Sequence, residues 1–229
     1  MTASPGTAPR PLSPQERRAR NRREMVEAIL AAARAVMQEH GVAALNLNEV
    51  ARRVRLRPQS LAEYFPTKAA LYDALYLRAS ALFREGDERA YRDHPPGWGQ
   101  IEAWFANRVA LANENPDLHH LFFDAPAPDY VPAERVVEAT RAILAGARRM
   151  VAEAVAAGAM APGMPAERAT DLLLAVRHGL VAERLGKRRF VPPGSDRFDA
   201  LLPEAIRTLR TAWAPAPAAT DGRRDAMTD

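Results

Sequence analysis

Between Leu45 and Lys68 the chain reads LNLNEVARRVRLRPQSLAEYFPTK, and two prolines within that run limit where helices can form. Pro58 suits a first helical turn, where its missing N–H is not needed, and Pro66 ends a helix because it disfavours the α conformation of the residue before it. Only a helix of about two turns, Pro58 to Tyr64, fits between them. It buries Leu61 and Phe65 and turns Arg57, Gln59, Ser60, Ala62 and Glu63 outward. Upstream, Asn46 with Glu49 three residues on reads as a capping box, the Asn side chain meeting an orphan N–H and the carboxylate reaching back. Leu47, Val50, Ala51 and Val54 then fall on one helical face. A break at Val54–Arg57 separates the two short helices, and Thr67 is placed to cap a third. That is the layout of a DNA-reading helix-turn-helix.

The remaining periodic segments are helical as well, and no alternating β run or hairpin signal appears. A first helix at about 18–40 carries Met25, Ile29, Leu30, Ala33, Val36 and Met37 inward and stops at Gly41. Helices at about 67–90, from 98 onward, over DLHHLFF, and at about 132–157, 165–186 and 196–213 bring the total to nine. The expected fold class is all-α: a three-helix head on a larger helical body. Residues 1–20 read as a disordered basic arm, 21–68 as the helix-turn-helix head, 69–214 as the body and 215–229 as a disordered tail.

Charge is split between these regions. Residues 1–68 hold 12 basic and 6 acidic side chains, a net +6, while residues 69–229 hold 20 and 22, a net −2. A field concentrated on the motif-bearing end steers a protein to a polyanion and supplies salt-dependent affinity. Arginine abundance, with only two lysines in the chain, accounts for part of the high pI of 9.8 and not for the split. Arg17, Arg18, Arg20, Arg22 and Arg23 at the end of the arm either lie along phosphates or form a solvated charge run.

Zero cysteines exclude a disulfide scaffold and a thiolate metal site. MTASPGTAPRPLSP lacks the apolar run of a signal peptide, and no stretch of about 18 apolar residues could span a bilayer, so the cytoplasm is expected and a membrane partner is not. No GxSxG, phosphate-binding loop, dinucleotide fingerprint or HExxH occurs. Asp117-x-x-His120 alone does not make a di-iron bundle, which needs paired Glu-x-x-His motifs. Asp117 more simply begins a short helix near its positive end. The adjacent His119 and His120 diverge by about 100° on a helix. Neither an enzyme activity nor a cofactor is expected.

From about Met25 to Leu75, the amphipathic first helix, the Gly41 stop, the NEVA segment and YFPTKAALYDAL together resemble the TetR family of bacterial transcriptional repressors. The resemblance implies that Tyr64, Phe65 and Lys68 hold DNA phosphates and lock the recognition helix. With them, Asn46 and Ser60 form the backbone-facing set, Arg57, Gln59 and Ala62 meet base edges, and Asn48 is a further DNA-binding residue. Two positions depart from the family pattern. Arg55 stands in the turn where Gly is usual, so either it bears a left-handed strain of roughly 1–2 kcal/mol or the turn takes another shape. Ala62 stands where Tyr is usual, removing a phosphate-contacting hydroxyl but leaving a small apolar surface for a thymine methyl.

The resemblance further implies a homodimer on a near-palindromic operator, joined through the last two long helices, and a small-molecule inducer held among the middle ones. Leu172, Val176, Gly179, Leu180, Ile206 and Leu209 supply stripes for the dimer seam, unless those stripes face only the protomer core. Trp98, Trp104, Phe105, Phe122, Phe123 and Tyr130 crowd into barely more than thirty residues although aromatics make up 7% of the chain. That concentration reads either as an apolar ligand cavity with Arg108, His119 or His120 as its polar groups, or as core packing. Two further readings of the whole chain stand beside the ligand-responsive repressor: a helical binding protein with a degenerate head, and an architectural DNA binder without sequence preference.

Overall fold

The structure, a computed structural model, describes residues 12–123, 130–187, 190 and 197–215, with only the backbone at 197–200. The expected arm up to residue 11, the Pro-rich loop at 124–129 and the tail from 216 lie outside those residues. The described residues form nine α-helices and no strand, as the all-α reading requires. These are α1 (Pro14–His40), α2 (Leu47–Arg53), α3 (Pro58–Ala62), α4 (Lys68–Asp93), α5 (Trp98–Glu114), α6 (Pro116–Phe123), α7 (Glu134–Ala156), α8 (Ala166–Lys187) and α9 (Arg197–Ala212). A 3-10 turn, Val42–Ala44, links α1 to α2. No helix among the described residues is long and apolar enough to cross a membrane.

Contacts divide the chain into two compact units, one within Met1–Arg78 and Asp117–Ala133, the other within Ala79–Pro116 and from Glu134 on. The first unit thus extends past residue 68 to Arg78 of α4 and includes α6. The cause is local to the first unit. The buried Asp117 carboxylate accepts Arg34 Nε at 2.7 Å, Arg34 Nη2 at 3.0 Å and Gln38 Nε2 at 3.0 Å. Tyr76 donates its hydroxyl proton to the Phe122 carbonyl at 3.0 Å. Leu121 then enters the core built by Ile29, Ala33, Val36, Val50, Leu61, Leu71 and Leu75.

Helix α1 starts earlier than its apolar periodicity suggests. Ser13 and Glu16 form a reciprocal capping box around Pro14 at the first helical position, so residues 14–20 are helical and not part of a disordered arm. The box expected at α2 is only half made. Asn46 caps the Asn48 N–H at 2.9 Å, but Glu49 is held by Arg52 and Arg53 instead of reaching back. Two guanidiniums compete with one backbone N–H for that carboxylate, and charge-assisted bonds are the stronger ones. Helix α3 ends at Ala62, two residues short of the expected Tyr64, within the usual fraying of helix ends.

The second unit packs α5, α7, α8 and α9 with residues 79–93 of α4 around Ile101, Trp104, Phe105, Met150, Val151, Ala154 and Leu173. Trp98 Nε1 donates to the Ala159 carbonyl at 2.9 Å, and its ring lies 6.1 Å from that of Trp213. Gly86 permits the close crossing of α4 and α5, because a Cβ there would collide with the Asn107 side chain. The crossing sets Asp87 against Arg108, one residue further along each helix.

Candidate nucleic-acid interface and body cluster

The turn between α2 and α3 decides whether the head can present a recognition helix. Arg55 lies at φ +57°, its N–H donating to the Arg52 carbonyl at 3.1 Å, while the Leu56 N–H donates to the Ala51 carbonyl at 2.9 Å. This pair of bonds is the Schellman closure of a helix end, normally made with Gly at the left-handed position. Arg55 thus takes the Gly conformation and the turn keeps its shape. Arg57 is the N-cap of α3 in extended backbone, with Pro58 following, and its side chain is exposed.

Among the other sequence-predicted DNA contacts, Asn46, Asn48, Gln59 and Ala62 are exposed, and Ser60, Tyr64 and Lys68 are half-buried. Two of the half-buried residues brace the head. Lys68 Nζ donates to the Ala43 carbonyl at 3.0 Å and lies 5.3 Å from the Tyr72 ring centre, while Tyr72 donates to the Val42 carbonyl at 2.8 Å. The start of α4 is thereby tied to the 3-10 turn that precedes α2. Tyr64 carries the Arg22 guanidinium over its ring at 4.8 Å, and Arg22 Nη2 also donates to the Glu63 carbonyl at 3.4 Å. On α2, hydrogen bonds from Arg52 and then Arg53 lower the half-buried Glu49 carboxyl to a pKa of about 2. Arg53 likewise holds Glu39 below the usual carboxylate range. These pairs occupy two of the head's cations and leave Arg55 and Arg57 exposed.

The aromatic concentration is divided between the two units. Phe122, Phe123, His119 and Tyr130 belong to the first: Phe122 stacks on Tyr76 at 4.6 Å, His119 lies 4.7 Å from Phe123, and Tyr130 donates to Asp73 Oδ1 at 2.8 Å. Trp104, Phe105 and Arg108 belong to the second, where all three are buried.

Around Arg108 the second unit buries charge. Arg108 Nη2 donates to Asp87 Oδ2 at 3.2 Å and Oδ1 at 3.4 Å, and its guanidinium lies 4.0 Å from the Phe83 ring centre. Arg177 of α8 stacks its guanidinium on Trp104 at 3.7 Å. Burial pushes the Arg177 proton affinity well below the ordinary value, and repulsion from Arg108 adds to it. Burial likewise lowers Arg108 and raises Asp87, against their mutual attraction. The Tyr91 hydroxyl is pushed up by burial and by Asp87.

Asp87, Tyr91 and Arg177 were not among the expected site residues. Each of the two charged ones replaces an apolar residue on a buried stripe, in the rows Leu75, Ala79, Phe83, Asp87 and Leu173, Arg177, Val181, Leu185. A charge at i+4 spacing inside an apolar row is the signal that marks them. On α8, the residues expected at the dimer seam lie on other faces: Leu172 is 45% exposed, Gly179 is exposed, and Val176 and Leu180 are half-buried. Ile206 is buried in the protomer's own core, and Leu209 packs against it only partly buried.

These features define a helical DNA-binding regulator with an N-terminal helix-turn-helix and a helical body. Residues 29–75, the helix-turn-helix head, match the family model of bacterial regulatory proteins, tetR family. Solved structures share the fold over most of the chain. A protein of unknown function from Rhodococcus sp. RHA1 is 26% identical, covering 83% of this chain and 95% of its own, with a TM-score of 0.70. A transcriptional regulator of the TetR/AcrR family from Thermobifida fusca YX-ER1 is 20% identical over 88% of this chain and 99% of its own, TM-score 0.61. The regulator FadR from Bacillus subtilis, in complex with stearoyl-CoA, is 12% identical over 81% and 97%, TM-score 0.67. No curated protein sequence matches.

Proposed function

We propose that the chain is a homodimeric repressor whose heads read a near-palindromic operator and whose body binds a small apolar or amphipathic inducer. The observation that carries this reading is the intact turn at Arg55, which favours a working head over a degenerate one. Arg57 and Gln59 are exposed at the start of α3, where side chains reach base edges, and a guanidinium pairs bidentately with guanine. Asn46, Asn48, Ser60, Tyr64 and Lys68 grip phosphates and set the register. The second head is needed because one short helix reads few bases. A ligand-bound FadR of the same fold supports an inducer site in the body. Such a ligand shifts operator affinity only through its differential affinity for the two states.

Selection of bound fragments from the parent genome, followed by titration at several salt concentrations, tests the proposal. The expected result is a palindromic site bound far more tightly than random DNA, with Arg57→Ala losing about 1–3 kcal/mol and relaxing one base position. A specificity ratio near one would point to an architectural binder, and no binding at all to a degenerate head.

A further inference from the structure

We infer that the ligand of the body is an organic carboxylate whose anionic group seats against Arg177 and Arg108, with its apolar frame among the neighbouring aromatic side chains. The inference rests on the ligand-responsive reading and names the chemistry of its ligand. Two guanidiniums and one carboxylate are buried together, with Arg108 1%, Arg177 2% and Asp87 3% exposed. Asp87 balances one positive charge, and a second remains. Among the described residues Arg177 has no ion pair and its Nη1 no hydrogen-bond partner, and Arg108 Nε and Nη1 and the Tyr91 hydroxyl are also buried without one. Buried charges are paired in proteins because an unpaired one is costly to desolvate.

The geometry narrows the anion. Both guanidiniums have a face against an aromatic ring, Arg177 on Trp104 and Arg108 on Phe83, which leaves their N–H edges as the donating surface. An edge of that kind matches the planar fork of a carboxylate. Charge agrees: one carboxylate cancels the surplus of one, whereas a phosphate monoester, carrying roughly −1.5 to −2 at neutral pH, would overshoot it. Trp104, Phe105 and Leu173 are fully buried core side chains beside the two arginines, so a ligand that displaces them to reach the guanidiniums would need a hydrocarbon or aromatic frame.

Thermal denaturation and titration calorimetry of the full chain, using decanoate and benzoate against the uncharged decan-1-ol and benzamide, test this directly. At least one carboxylate is expected to bind and raise the melting temperature, with its uncharged counterpart at least tenfold weaker. Arg177→Met, which leaves the Asp87–Arg108 pair in balance, is expected to melt higher than the parent without ligand and to lose the carboxylate response. Arg177→Lys keeps part of it. Equal binding of the uncharged counterparts overturns the inference, as does absence of binding by both carboxylates. An Arg177→Met protein that melts lower and still responds to carboxylate shows a structural arginine and also overturns it. DNA titrations on the same samples separate the two proposals. A carboxylate that binds in an Arg177-dependent way and leaves operator affinity unchanged sustains the anion site and removes the inducer role, whereas release of DNA by an uncharged effector alone does the reverse.

Discussion

Arg55 holds the left-handed conformation that the α2–α3 turn requires, at φ +57°. A side chain there crowds the following carbonyl, at a cost of roughly 1–2 kcal/mol that Gly does not carry. Gly in turn gives the unfolded chain more freedom, at about 0.5–1 kcal/mol. Arg55→Gly is therefore expected to stabilise the protein by up to about 1 kcal/mol. Arg55→Val, β-branched and poorly suited to positive φ, should lower the urea midpoint well below the parent. A lower midpoint for the Gly variant would mean that the Arg55 side chain makes a stabilising interaction outweighing its strain. Lys68 belongs to the same scale. Its bond to the Ala43 carbonyl gives it a structural role beside any phosphate contact, so Lys68→Ala should lose about 1 kcal/mol of stability in the absence of DNA. It should also lower the salt slope of DNA binding by about one unit. An unchanged denaturation midpoint with a reduced slope would assign Lys68 to phosphate alone.

Helix α6 has eight residues and cannot be stable by itself, so its place depends on partners. Asp117 supplies them, accepting three bonds from Arg34 and Gln38 on α1. Asp117→Ala should destabilise the first unit by about 2–3 kcal/mol, at or below the low end for a broken buried pair because the Arg34 side chain keeps 24% of its exposure. Asp117→Asn retains an acceptor and should lose less. Denaturation followed by tyrosine fluorescence, with Tyr72, Tyr76 and Tyr130 all in this unit, measures both. Equal stability of the Ala variant would show that α6 is held by Leu121 and the aromatic contacts instead. The start of this helix was legible from Asp117, because a charge at a helix end acts within one turn. Its docking was not, since Arg34 lies 83 residues away and the sequence offers no sign of which of 32 cations would find Asp117. The same limit hid Arg177 and Asp87. Periodicity treats a charge within an apolar row as an interruption, and only the packed helices reveal that the row continues through it into the core.

At the scale of the molecule, the helical fold and head were readable because helix signals are local and the family motif is contiguous. Whether α8 meets a second subunit, and with which face, depends on contacts that no local signal carries. The protomer settles one side of that question: Ala169, Leu173, Arg177, Val181 and Leu185 face its own core, which leaves Leu172 45% exposed on another face. Leu172 is therefore the better probe of the seam than Ile206, whose substitution would open the protomer core. Glu at position 172 meets water in a monomer, so Leu172→Glu is expected to keep the helical signal and to change thermal stability by little beyond the loss of dimerisation. In a dimer seam the same carboxylate would be buried without a partner, which an interface rarely tolerates. The variant should sediment as a monomer. Operator affinity should then fall by on the order of 10²–10⁴-fold, since the second head no longer binds at the effective concentration set by the first. Affinity for a half-site should be unchanged, because the head is untouched. A variant that remains dimeric with full operator affinity would place the seam away from this face of α8, and the exposed residues of α9 would be the next to carry the charge.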